Sequence, residues 1–174
     1  MKKKIALCGK MCSGKSFISD KLVSEGYKRI GFGDAVKKYS TEIFHLKNKD
    51  RKIIQAFAQK IKEINPDVWI EYIDYQIKYN TDYSNKNILI DDLRFPNEYQ
   101  YLRKNNFTII KLVIDDFMQK ERLKKTYPEN YENHLESISD ISESYIDSIE
   151  ADFVIKIDKT NEKNILEIIE RYIN

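Results

Sequence analysis

The sequence predicts an α/β fold, a parallel sheet flanked by helices with a phosphate-binding loop after its first strand. Three observations predict it. Apolar runs of strand length alternate with segments of helical period along the 174 residues, a pattern that argues for parallel strands joined by crossovers. Gly9-Lys10-Met11-Cys12-Ser13-Gly14-Lys15-Ser16 fits G-x-x-x-x-G-K-[ST], the P-loop pattern, at every fixed position. Its flanks are the strand and the helix that such a loop requires.

Lys4-Ile5-Ala6-Leu7-Cys8 is a short apolar run of strand type. In the loop, glycines let successive backbone N–H groups face one concavity. That concavity and the next helix N-terminus suit the phosphates of a nucleotide. Lys15 is placed to reach the β- and γ-phosphates, and the Ser16 hydroxyl to ligate Mg²⁺. The nucleotide-contacting stretch is Gly9, Lys10, Met11, Cys12, Ser13, Gly14, Lys15, Ser16 and Phe17. The spacing of Phe17, Ile18, Leu22 and Val23 predicts a helix over Phe17 to Glu25, stopped at Gly26.

Tyr27 to Phe32 reads as a second strand, and Asp34 as the N-cap of a helix with Val36, Tyr39, Ile43 and Phe44 inward. Asn48 to Asp50 breaks that helix. Arg51 to Ile64 follows as a helix with Ile54, Phe57, Ile61 and Ile64 on one stripe. Asn65-Pro66-Asp67 is a turn, and Val68 to Tyr79 a helix carrying Trp69, Ile70, Ile73 and Ile77. Three consecutive helices exceed what a simple crossover needs. Such an insertion commonly forms a lobe over a ligand site, and packing alone also accounts for it.

Asn87 to Asp92 is a buried-type strand ending in two carboxylates. Leu93 to Glu98 leads into a helix through about Lys104. Phe107 to Ile114 is an almost wholly apolar strand, as in a sheet covered on both faces. Asp116 to Lys125 reads as a basic helix and Thr126 to Asn133, with Pro128, as an irregular loop. A short helix covers Ile141 to Ile146, Asp152 to Ile157 is the last strand, and Asn161 to Tyr172 the closing helix, with Ile165, Ile168, Ile169 and Tyr172 inward. Ligands of such sheets sit at the carboxyl ends of the strands. The P-loop, Asp34, Asp91-Asp92 and Asp115 all fall at such ends.

Composition narrows the function. Lys+Arg of 30 against Asp+Glu of 28, a net charge of +2, gives no electrostatic footprint for nucleic acid. No apolar run approaches the ~20 residues that cross a bilayer, and no apolar signal core opens the chain. The expectation is one soluble, cytoplasmic domain over 1–174. Cys8 and Cys12 do not read as a disulfide staple, and His45 and His134 are too far apart in sequence to suggest a metal site with them. The expected cofactors are ATP and the Mg²⁺ it carries.

A P-loop serves GTPases, motors, transporters and small kinases alike. Asn48-Lys49-Asp50 is one residue short of the guanine-reading Asn-Lys-x-Asp element, and the Gly-Gly element usual in shikimate-type kinases is missing. The Asp-x-Pro-Leu-Leu of dephospho-coenzyme A kinases is replaced by Asp92-Leu93-Arg94-Phe95-Pro96. Asp92-Leu93-Arg94-Phe95-Pro96-Asn97-Glu98 closely resembles the Asp-x-Arg-Phe-Pro-Asn-Glu signature of the viral (phage-type) deoxynucleoside monophosphate kinases. Asp34-Ala35-Val36-Lys37 is similar to their Asp-Pro-Leu-Lys element, and Arg51, Gln55 and Trp69 to their Arg…Gln…Trp segment. Ser142-Glu143, Asp147 and Asp152-Phe153-Val154-Ile155 resemble their late elements. The sequence departs from the family at Ala58, Lys62 and Asp140, where members tend to carry Gly, Arg and His.

The resemblance implies a five-stranded, adenylate-kinase-like P-loop fold, with a helical acceptor-binding insertion over about 34–80 and a small lid over about 116–140. It implies transfer of the γ-phosphate of ATP to a deoxynucleoside 5′-monophosphate, in host cytoplasm if the protein is viral. Lys15, Asp92, Arg94 and Arg122 would be catalytic. Asp34, Lys37, Arg51, Gln55, Lys62, Trp69, Arg94 and Glu143 would face the acceptor, and Ser16 and Asp92 the metal. The residues alone leave rivals open: a P-loop kinase for another small phosphorylated acceptor such as dephospho-coenzyme A or phosphomevalonate, a non-catalytic nucleotide switch, and a nucleic-acid end kinase. They also leave open the base, the strictness against ribose, a homodimer, and which of Asp91 and Asp92 serves Mg²⁺.

Overall fold

The computed structural model describes residues 2–48, 50–138, 141–158, 167–169 and 171. The chain enters the sheet at β1 (Lys4–Gly9), crosses through α1 (Lys15–Ser24), and returns as β2 (Lys28–Arg29). Three helices follow, α2 (Phe32–Phe44), α3 (Arg51–Ile64) and α4 (Val68–Tyr79), before β3 (Ile88–Ile90). Then come α5 (Pro96–Lys104), β4 (Thr108–Ile114), α6 (Asp116–Thr126), α7 (Tyr131–Ile138), α8 (Ile141–Ser148) and β5 (Phe153–Ile157). The strands form one sheet of order β2-β3-β1-β4-β5, every neighbouring pair parallel.

The central strand shows why the sheet needs two covers. Side chains alternate along a strand, so β1 sends Ile5 and Leu7 to one face and Ala6 and Cys8 to the other. Ile5 and Leu7 pack with Ile18 and Leu22 of α1, Met118 of α6, and Ile169. Ala6 and Cys8 pack with Ile70 and Ile73 of α4 and Leu102 of α5. Both layers are almost completely buried, which is why the strands read as unbroken apolar runs rather than alternating ones. Burial also pushes the Cys8 thiol up to about 11, as expected of a core thiol.

The helical insertion has its own small core. Ala35 and Val36 of α2 and Trp69 of α4 are buried, with Tyr39, Ile54, Phe57, Ala58, Ile61 and Tyr72 packed against them. Its middle helix, α3, has no buried residue at all. That helix leans one apolar stripe on its neighbours and leaves the rest to solvent.

Several boundaries differ from the sequence reading. α2 begins at Phe32, so Asp34 lies inside its first turn, at N3, and its carboxylate accepts the Gly31 N–H at 2.8 Å. This cap starts the helix three residues early and shortens β2. Ile43, Phe44 and Ile64, expected inward, are 58%, 49% and 83% exposed, because α2 and α3 extend past what they pack on. Phe17, given both as a helical-spacing residue and as part of the nucleotide-contacting stretch, is 59% exposed and lines the cavity beside the phosphate loop. The loop expected over Thr126 to Asn133 is interrupted by α7, which starts at Tyr131. The expected closing helix lies largely outside the described residues. Within it, 167–169 and 171 are helical, and Ile168 and Ile169 pack on the sheet. No helix among the described residues is long and apolar enough to cross a membrane.

Candidate active site

β1 ends at Gly9, and the phosphate loop leaves from there into α1. Gly9 has φ of +152°, and a Cβ there would stand 2.6 Å from the Leu112 carbonyl oxygen and 2.7 Å from Ser13 Oγ. Only glycine lets the loop pass that close to β4. Gly14, at φ +96°, turns the chain into α1. The Lys15 ammonium donates to the carbonyl oxygens of Gly9 and Lys10, the latter at 2.9 Å.

α6 braces the loop from outside. Gln119, 1% exposed, donates from Nε2 to the Met11 carbonyl at 2.9 Å. One turn on, Arg122 donates from Nη1 to the Cys12 carbonyl at 3.1 Å. Lys10 pairs with Asp147 of α8 at 3.3 Å. Arg122 thus sits against the loop and lines the cavity beside it. Gln119 was missed, since a glutamine on a basic helix carries no sequence signal of its own. His134 of α7 stacks on Tyr127 with ring centroids 4.0 Å apart, which ties α7 to the end of α6.

Two cavities open on this end of the sheet. One, of about 590 Å³, is lined by the loop from Met11 through Phe17, together with Arg51, Arg94, Arg122, Thr126 and Tyr127. The other, of about 340 Å³, lies under the helical insertion. Its walls are Phe32, Gly33, Val36 and Lys37 of α2, Arg51, Ile54, Gln55, Ala58 and Lys62 of α3, and Trp69 of α4. Asp92, Arg94, Phe95 and Glu98 close it from the strand side. Met11, Arg51 and Arg94 line both cavities. Two arginines therefore stand where the contents of the two cavities would meet.

Lys37, Arg51, Gln55, Lys62, Trp69, Asp92 and Arg94 are thus brought around one space. Asp34 is not among its lining residues, and its carboxylate faces Arg29 and Gly31. Glu143 lies in α8, with its side chain outside the described residues, as is the whole of Asp140. Trp69 is 8% exposed and packs on Phe57 with ring centroids 6.0 Å apart, so it is core and cavity wall at once. Its buried indole N–H has no hydrogen-bond partner among the described residues. Lys62 sits 4.4 Å over the Phe95 ring, a cation held by an aromatic face.

The two carboxylates of the cavity are both perturbed. Asp92 accepts the N–H groups of Phe32 at 3.0 Å and Gly33 at 2.9 Å, one on each oxygen. Burial pushes its pKa up, those backbone donors pull it down, and the charges of Asp91 and Asp34 push it up again. Glu98 accepts the N–H groups of Arg94 and Phe95 on one oxygen, and so reaches back from N3 to cap the start of α5. Burial raises Glu98 to about 7, against the pull of those two donors. Glu98 was expected only as the last residue of a motif. A glutamate at N3 after Pro96 was the overlooked signal.

A P-loop at the end of the central strand, a β2-β3-β1-β4-β5 parallel sheet and a helical insertion over a second cavity define a P-loop kinase fold. Residues 5–142 match the model of the AAA domain family, and the chain belongs to that family. A solved Thermus thermophilus structure superposes with a TM-score of 0.64 at 13% identity, covering 99% of this chain and 98% of that one. A sugar kinase from Janibacter sp. gives 0.59 at 15% identity, covering 99% and 94%. A shikimate kinase from Bacteroides thetaiotaomicron gives 0.57 at 13%, covering 98% and 97%. At these identities the likeness is one of fold. It bears on the fold and does not reach the viral deoxynucleoside monophosphate subtype of the sequence reading. A search of curated proteins finds no match.

Proposed function

We propose that the chain transfers the γ-phosphate of ATP to the phosphate of a deoxynucleoside 5′-monophosphate. The observation that carries this is the pair of adjoining cavities sharing Arg51 and Arg94. One cavity is walled by the phosphate loop and suits the donor. The other offers Lys37, Arg51, Lys62 and Arg94, four cations around a space that a neutral sugar or polyol would not need. Flat guanidinium forks match phosphate oxygens in pairs. An acceptor that itself carries a phosphate supports that much charge; a neutral hydroxyl acceptor does not. Gln55 and the apolar Ile54, Ala58 and Trp69 face the same cavity and suit a base edge and its faces.

Phosphoryl transfer needs two anions in line, neutralised charge and excluded water, with little covalent help. Lys15 would leave its loop carbonyls for the donor phosphates, and Arg122 would cover the transferring group from the lid. Arg51 and Arg94 would hold donor and acceptor phosphates toward each other. The donor set fits Mg²⁺: Ser16 lines the donor cavity, and each Asp92 oxygen keeps a second lone pair beyond its backbone donor. Mg²⁺ keeps most of its waters and needs few protein ligands when it arrives on phosphates. When bound it supplies charge neutralisation between the phosphates.

The test is paired initial rates of ADP release with dTMP, dGMP and dCMP against their ribose counterparts, ATP and Mg²⁺ saturating. At least one deoxy acceptor should show the higher kcat/KM. Equal or better ribonucleotide rates would remove the deoxy assignment. Turnover only with dephospho-coenzyme A or phosphomevalonate would move the acceptor to that class.

A further inference from the structure

Arg29 belongs to no motif and lines neither cavity, yet it joins the parts on which the second cavity rests. It stands at the carboxyl end of β2. Its Nε donates to Asp91 Oδ2 at 2.8 Å, just past the end of β3. Its Nη1 donates to Asp34 Oδ2 at 2.8 Å, in the first turn of α2. That same Asp34 oxygen accepts the Gly31 N–H, and the other oxygen lies 3.7 Å from the Lys37 ammonium. The neighbouring Asp92 holds the Phe32 and Gly33 N–H groups. The start of α2 is therefore tied to the end of β3 twice, directly through Asp92 and indirectly through Asp91, Arg29 and Asp34.

The closeness is built in. A Cβ on Gly31 would stand 2.7 Å from Asp92 Oδ2 and 3.2 Å from Asp34 Oδ2. The Gly31 backbone, at φ −119°, would accept alanine, so the space and not the torsion demands glycine here. Three carboxylates crowd this corner, and Arg29 answers two of them. Burial opposes its charge, while its bonds to Asp91 and the charges of Asp91 and Asp34 hold it well above its usual range. Asp91 is 11% exposed, and its other oxygen has no hydrogen-bond partner among the described residues. Removing the guanidinium would leave a buried carboxylate without its counter-ion.

We propose that Arg29 is a positioning residue for the acceptor: it fixes the first turn of α2, and with it where Gly33, Val36 and Lys37 stand in the acceptor cavity. This rests on the reading of that cavity as the acceptor site. A fork is required because Nε and Nη1 serve two different carboxylates. One ammonium at Arg29→Lys can serve one of them. The donor side, built on β1, α1 and α6, takes no contact from Arg29.

The experiment is calorimetric binding of ATP and of dTMP, dGMP and dCMP to wild type, Arg29→Lys and Gly31→Ala, followed by steady-state rates. Gly31→Ala keeps every charge and disturbs the same corner sterically, so it stands in if the arginine variant does not fold. In both variants the monophosphate Kd and KM should rise about tenfold, as for one lost charge-assisted contact, with ATP affinity within about twofold of wild type. Equal losses for ATP and monophosphate, or a lower melting temperature with both affinities kept, would reduce Arg29 to a packing role and overturn the proposal. Wild type that binds ATP but no monophosphate would instead remove the acceptor reading, and the role of Arg29 with it.

Discussion

Arg94→Lys separates a phosphate fork from a simple positive charge. Arg94 lines both cavities, and its backbone N–H is fixed by Glu98 Oε2 at 2.9 Å. The substitution therefore changes the head group and leaves the loop held. A lysine keeps the charge but loses the second, parallel hydrogen bond to phosphate. One charge-assisted hydrogen bond is worth about 1.5–3 kcal/mol. At about 1.4 kcal/mol per factor of ten, kcat/KM for the acceptor should fall roughly 10- to 150-fold. The Kd for ATP should stay within about threefold, since the loop and Lys15 hold most of the donor phosphates. The assay is ADP release at limiting monophosphate and saturating ATP, with ATP affinity measured separately. An acceptor kcat/KM within about threefold of wild type would refute the fork. Lost ATP affinity with an unchanged acceptor KM would move Arg94 to the donor side.

Lys15→Ala should cut turnover by at least about a hundredfold, because its charge is aimed at the donor phosphates. Its circular dichroism should match wild type, since the ammonium is half-exposed in the loop and donates to loop carbonyls there; near-normal turnover would remove the phosphate-loop assignment. Glu98→Gln tests the buried carboxyl. Its folded pKa lies near 7 against an ordinary 4.5, so the folded state binds the extra proton. Wild type is then spared this cost below about pH 4.5 and loses stability as pH rises through about 7, by at most roughly 3 kcal/mol. A glutamine oxygen can still accept from Arg94 and Phe95, so the variant should melt higher than wild type at pH 8 and alike near pH 4. A variant that melts lower at pH 8 would show the charged carboxylate to be stabilising.

Much of the fold was legible because its signals are local. The P-loop spacing and the apolar run before it place β1, the loop and α1 within a few residues. The unbroken apolar runs of β3 and β4 announce a sheet covered on both faces, and the three helices before β3 were visible as periods of 3.6. What was missed depends on side-chain contacts that leave no period in the sequence. β2 shortens because Asp34 reaches back to cap Gly31 from inside the helix. The cavity residues Lys37, Gln55, Lys62 and Arg94 were expected together from the family resemblance; they converge because α2, α3 and the end of β3 face one space, which spacing alone does not give. Arg29 and Gln119 act through partners up to 108 positions away in sequence, as Gln119 does with Met11, whereas Glu98 acts locally, on the N–H groups of Arg94 and Phe95. None of the three sits in a motif that names such a role. Ile64 failed in the other direction: its helical period is correct, but α3 extends beyond the small core it leans on.

The central claim is that the second cavity holds an anion facing the donor phosphates across Arg51 and Arg94. The most direct measurement compares dTMP, dGMP and dCMP with the same deoxynucleosides lacking phosphate, with ATP and Mg²⁺ saturating and both products quantified by ion exchange. The account predicts ADP and deoxynucleoside diphosphate in equal amounts from at least one monophosphate, and no product from its deoxynucleoside. Phosphorylation of deoxynucleosides, gluconate or shikimate, with the monophosphates inert, would contradict it.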